Sequence, residues 1–148
     1  MSFNLILYKL KMSNANYPFL YIYFILALPI HTNRISLIFT GFLLGLVIDM
    51  FSNTWGIHAM ATTFIAFLRP YMFRIVATQE ELDKVMPRLK TMGANYVKYI
   101  VLMVFIHHLL LFTLEAFTFK YFWVIILKAL VSALITILLI FTLEKVRK

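Results

Sequence analysis

Long apolar runs separated by short polar turns dominate this chain. Apolar stretches cover residues 19–30, 35–51, 55–76, 96–117 and 121–143. Each run is broken by turn or charge chemistry. Pro29 precedes His31-Thr32-Asn33-Arg34, Ser52-Asn53-Thr54 precedes Trp55-Gly56, and Lys120 stands before the last run. A membrane-crossing helix needs about 20 apolar residues. The first run is short by that measure and has to tilt or borrow neighbours. Arg69-Pro70 interrupts the third run, so its last turns are expected to bend toward the interface. The strongly polar stretch, residues 78–92, carries Gln79, Glu80, Glu81, Lys84, Arg88 and Lys90 around Pro87. It reads as a connector at the membrane surface, either a short amphipathic helix or a loop. Residues 144–148 form a basic tail. The pattern predicts one all-α domain over residues 1–148, a polytopic transmembrane bundle of about five spans.

Composition narrows the picture. The chain has 148 residues, 63% of them hydrophobic and only 14% charged, against roughly 25% charged in an average soluble domain. That excludes a soluble enzyme, a disordered regulator and a separate soluble catalytic domain. Cysteine is absent, which excludes disulfides, thiolate metal sites and a cysteine nucleophile. The net charge of +8 would suggest nucleic acid in a soluble protein. Here the positive residues sit at span ends, so topology and anionic headgroups explain them, and nucleic acid is not an expected partner. With five spans, Arg34, Arg69, Arg74, Lys84, Arg88, Lys90, Lys98, Lys145, Arg147 and Lys148 fall on one side, and Lys9, Lys11, Lys120 and Lys128 on the other. The excess predicts that the first side, with the C-terminus, is cytoplasmic. Residues 1–16 hold a short apolar stub followed by Lys9 and Lys11. A signal peptide has the reverse order, so none is expected. A truncated start would account for the misplaced lysines.

A few residues stand out chemically. Gly41, Gly45 and Asp49 recur every four positions and share one helix face. The two glycines allow close approach of another helix, within the bundle or from a partner. Small residues repeat likewise at Ala59, Thr62, Thr63 and Ala66, and at Ala129, Ser132, Ala133 and Thr136. Ala129 and Ala133 are therefore further packing or docking candidates. Ionisable residues inside a span are functional hypotheses by default. Asp49 is one, read either as solvated at the interface or as paired inside. Glu115 and Lys128 flank a short hairpin, and the long lysine stem is expected to reach Glu115 or Asp49, or else headgroups. His107 and His108 are adjacent in mid-span, so their side chains diverge by about 100° and do not share a ligand geometry easily. They read as neutral histidines bonded within the bundle. His58 reads as an interface cap. No nucleophile elbow, zinc-protease or phosphate-loop motif is present, and no catalytic, cofactor-binding or metal-ligating residue is assigned.

Residues 41–59 read Gly-Phe-Leu-Leu-Gly-Leu-Val-Ile-Asp-Met-Phe-Ser-Asn-Thr-Trp-Gly-Ile-His-Ala. This segment resembles the signature region of the rod shape-determining MreD family. There a glycine-bearing span, an aspartate, a small polar turn and Gly-apolar-His-Ala follow in order. The matching positions are Gly45, Asp49, Ser52, Gly56, His58 and Ala59, and the likeness extends over about residues 17–143. The family usually has a full span ahead of residues 14–18, which implies a truncated six-span form here. The resemblance implies a non-enzymatic scaffold of the bacterial inner membrane, without a cofactor, within the cell-elongation machinery. Its implied partners are a bitopic MreC-like protein and, directly or indirectly, an MreB-like filament and the RodA/transpeptidase complex of peptidoglycan synthesis. The family's fold is similar to the S components of energy-coupling factor transporters. That supplies an alternative, a small-molecule binding subunit with a pocket near Asp49, His58 and Glu115.

Overall fold

Apolar segments this long form helices because an unpaired backbone amide or carbonyl costs several kcal/mol where water is absent, and a helix pairs all of them internally. A computed structural model describes residues 20–117 and 120–147, and these are helical with no strand among them. The elements are α1 (Tyr21–Leu26), α2 (Arg34–Ser52), α3 (Ile57–Val76), α4 (Gln79–Leu82), α5 (Leu89–Met92), α6 (Ala94–Ala116) and α7 (Phe122–Val146). Three of them, α2, α6 and α7, are long and apolar enough to cross a membrane. The predicted connector becomes the two short helices α4 and α5. The stub at residues 1–16 with Lys9 and Lys11, the start of the first predicted span, and Lys148 lie outside the described residues.

One expectation is corrected. The first apolar run does not continue as a helix to residue 30. Helix α1 ends at Leu26, and its six described residues span only about 9 Å. The third element runs to Val76, as its apolar pattern predicts, with Pro70 inside it. Proline deletes one backbone bond, and side-chain anchors hold both flanks. Arg69 is pinned to carbonyls at and just beyond the end of α1, and Phe73 stacks on Tyr99 of α6 with ring centroids 4.3 Å apart.

Helices α2, α3, α6 and α7 pack in chain order as a row of antiparallel neighbours, with α2 and α7 at its edges. Helix α1 lies against α2 and α3. Its Ile22 and Leu26 enter a core shared with Ile65 of α3, Tyr99 and Met103 of α6, and Ile140 of α7. Glycine brings α2 and α3 together. A Cβ on Gly41 would lie 2.9 Å from the Ala66 Cβ and 3.0 Å from the Thr62 carbonyl oxygen. On Gly45 it would collide with Thr62 Oγ1 and the Ala59 backbone. Ala129 and Ala133 are buried in the bundle core. Both small-residue stripes are therefore spent on packing inside the bundle, and neither is open to a partner helix.

Buried charges tie the remaining ends. The Arg69 guanidinium is 1% exposed. It donates to the carbonyls of Pro29 (3.3 Å), Leu26 (3.5 Å) and Leu28, while Nε donates to the Tyr99 hydroxyl (3.1 Å). Those carbonyls are left over where α1 stops, and a cation suits a helix C-terminus. Glu144, in the predicted tail, is buried instead. It accepts from Tyr23 of α1 (2.6 Å), Tyr96 of α6 (3.4 Å) and the Leu89 amide at the start of α5 (3.3 Å). A carboxylate there complements a helix N-terminus.

Candidate functional site at the Asp49 hairpin

The turn between α2 and α3 is built by backbone geometry. Asn53 ends α2 in the left-handed conformation (φ 54°), and Gly56 opens α3 with φ 81°. Asparagine and glycine are the residues that tolerate this region. Gly56 has no side chain to cap α3, so its first amides lack the usual partner. Asp49, from the last turn of α2, supplies it. One carboxylate oxygen accepts from the Ala59 amide at 2.9 Å. The other accepts from the His58 amide at 3.0 Å, His58 Nδ1 at 3.0 Å and the Thr54 hydroxyl at 2.5 Å. The Thr54 amide bonds back to the Asp49 carbonyl at 3.0 Å.

The sequence left Asp49 as either solvated or paired, and the structure makes it paired. It is 4% exposed, and its carboxylate is hydrogen-bonded to the His58 ring. The carboxylate acts as an N-cap delivered from the neighbouring helix, where the helix dipole favours negative charge. One turn deeper, Thr62 Oγ1 donates to the Gly41 carbonyl at 2.7 Å, across the contact that Gly45 permits. Ser52 closes α2, half-buried, and stands outside this network.

A polar seam continues from the hairpin into the bundle. The Tyr21 ring meets His58 edge-on, with centroids 5.8 Å apart, and its hydroxyl lies 2.8 Å from His107 Nε2. His107 and His108 pack edge-on at 5.4 Å. His108 Nδ1 donates to the Val104 carbonyl at 2.8 Å, and its Nε2 faces the Thr136 hydroxyl at 3.3 Å. The adjacent histidines diverge, as the helical turn requires, and both are wholly buried. His107 Nδ1 has no hydrogen-bond partner. Among the described residues, no three His, Asp or Glu side chains converge as metal ligands.

The predicted Glu115–Lys128 pair does not form. Glu115 is exposed, and the Lys128 ammonium lies over the Phe112 ring, 5.9 Å from its centroid. Lys128 does not reach Asp49 either. A cation held over a ring face loses less than one left bare in an apolar setting, and this contact needs no reach across the hairpin. Sequence reading missed Tyr21, Thr54, Arg69 and Glu144 as members of buried networks. For Arg69 and Glu144 the available signal was a charge within or directly after an apolar run. Comparison of the chain with protein families, curated proteins and solved structures gives no match.

Proposed function

We propose that this chain is a non-enzymatic integral membrane scaffold of the bacterial cell-elongation machinery, resembling MreD. It would sit in the inner membrane with its C-terminus cytoplasmic and bind a bitopic MreC-like protein. Through that protein, or directly, it would join an MreB-like filament and the RodA/transpeptidase complex of lateral wall growth. One observation carries the reading. The residues that bear the family resemblance work as a unit, because Gly45 admits α3, Asp49 caps it, Gly56 makes the turn and His58 bonds the cap. Such a motif supports architecture, and its polar groups are engaged with one another. Since both small-residue stripes are internal, a partner helix would meet outward apolar side chains instead.

The alternative is an S-component-like subunit that binds a small molecule. It is favoured by the buried His107 with its unpaired Nδ1, a group that a ligand would satisfy. Native mass spectrometry of the chain co-expressed with an MreC-like protein from the same genome separates the two. The scaffold reading expects a defined complex free of small ligand. A chain that binds no MreC-like protein but retains a small molecule would replace it with the carrier reading. Gly45→Leu is unsuitable as a docking variant, because the added side chain would force α2 from α3.

A further inference from the structure

The chain has two tryptophans, and both stand at the Asp49 end of the bundle. Trp55 is in the α2–α3 turn and 97% exposed, and Trp123 opens α7 and is 78% exposed. Antiparallel packing puts the α2–α3 and α6–α7 turns at one end. Phe51 and Phe117, 83% and 89% exposed, stand at the same end. The turn that holds Trp55 is fixed by Asn53, Gly56 and the Asp49 carboxylate.

The tryptophans also terminate apolar stripes. On α2 the outward residues include Phe39, Leu43, Val47 and Met50, and on α7 they include Leu127, Val131, Leu134 and Leu138. Each stripe ends in cations at its other end, Arg34 on α2 and Lys145 on α7. From Trp123 to Lys145 the helix rises about 33 Å, and from Arg34 to Ser52, just short of Trp55, about 27 Å. The hydrocarbon core of a bilayer is about 30 Å thick. Indole and long cationic side chains are the residues that settle at the two membrane–water boundaries. Apolar stripes on both edges of the row, bracketed this way at bilayer spacing, match lipid.

We infer that Trp55 and Trp123 form a two-point anchor in the headgroup–acyl boundary of the bilayer. The outward stripes of α2 and α7 are then lipid-facing, and the Asp49–His58 lock sits at interface depth with a structural task, presenting Trp55 to lipid. The inference rests on membrane placement and not on any partner, so the complex experiment above and the one below fail independently. The full chain and its single-tryptophan variants Trp55→Phe and Trp123→Phe are reconstituted in dioleoylphosphatidylcholine vesicles. Emission is then quenched with lipids brominated near the carbonyls or deep in the acyl chain, and separately with aqueous iodide. Each tryptophan should emit at shorter wavelength than free indole in water. Each should be quenched more by shallow than by deep bromines, and weakly by iodide. Iodide quenching without bromolipid quenching would put the turns in water, and quenching by neither would mean that protein, such as a second copy, covers them. Either result overturns the anchor.

Discussion

Gly45 and Gly41 look equivalent in the sequence, four residues apart on one face, but they do different amounts of packing. Replacing a helical glycine with alanine gains about 1 kcal/mol of helix propensity. Overpacking a tight contact costs about 1–3 kcal/mol. At Gly45 a new Cβ meets Ala59 N at 2.6 Å and also collides with Ala59 Cα and Thr62 Oγ1. Backbone cannot step aside as a flexible side-chain tip can, so the cost exceeds the gain. At Gly41 the closest atoms are the Ala66 Cβ at 2.9 Å and the Thr62 carbonyl oxygen at 3.0 Å, which are also fixed to backbone but need a smaller displacement. Gly45→Ala should therefore lower the thermal midpoint in detergent, by a loss of about 1–2 kcal/mol, and Gly41→Ala should lower it less. Equal losses for the two would show that helix spacing does not depend on Gly45. Asp49 depends on the same contact, because its carboxylate reaches the Ala59 amide only while α2 and α3 are this close.

At the level of elements, periodicity and apolar length reveal α2, α3, α6 and α7 to within a few residues, because those helices are defined by what each buries or exposes along itself. The ends are less legible. Arg69 serves carbonyls about 40 positions earlier in the chain, and Glu144 serves an amide 55 positions earlier. Nothing in a local window indicates such partners, so Arg69 reads as an interruption of its span and Glu144 as tail. The connector is legible where its chemistry is local. Thr78 and Glu81 form a reciprocal capping box at the start of α4. The Thr78 amide, donating at 2.7 Å, and the Asn95 side chain hold the Glu81 carboxyl below the usual glutamate range against a smaller desolvation effect. A carboxyl depressed in the folded state stabilises it fully above the ordinary glutamate pKa. That contribution disappears as the pH falls through the lowered value. The Thr78 amide resonance should titrate with that depressed midpoint, and Glu81→Gln should abolish the transition. A midpoint at the ordinary glutamate value would show that the box does not hold in solution.

The whole molecule turns on α3. By length and composition α2, α6 and α7 are long and apolar enough to cross a membrane, while α3 carries Arg69 and Arg74 and fails that measure. Its arginines are not equivalent, however. Arg69 is enclosed by the carbonyls at and after the end of α1 and by Tyr99, and Arg74 stands in the last turn, where a long stem can reach the interface. The outward side of α3 shows Met60, Phe64, Phe67 and Ile75, an apolar stripe at helical spacing. A helix that hides one charge inside the bundle and leaves the other at its end can cross with little penalty, and α3 packs between α2 and α6, running antiparallel to both. The absence of cysteine makes this directly measurable, since any introduced thiol is the sole one. Thiols placed at Asn53 or Lys120 should react with a membrane-impermeant maleimide on intact cells. Thiols at Lys84 or Lys145 should react only after permeabilisation, because the excess of Lys and Arg at that end favours the cytoplasm. If Asn53 and Lys84 were labelled from the same side, α3 would not cross. Helix α6 would then have to make the return crossing itself, opposite in sense to α2, which the antiparallel row of α2, α3 and α6 does not allow.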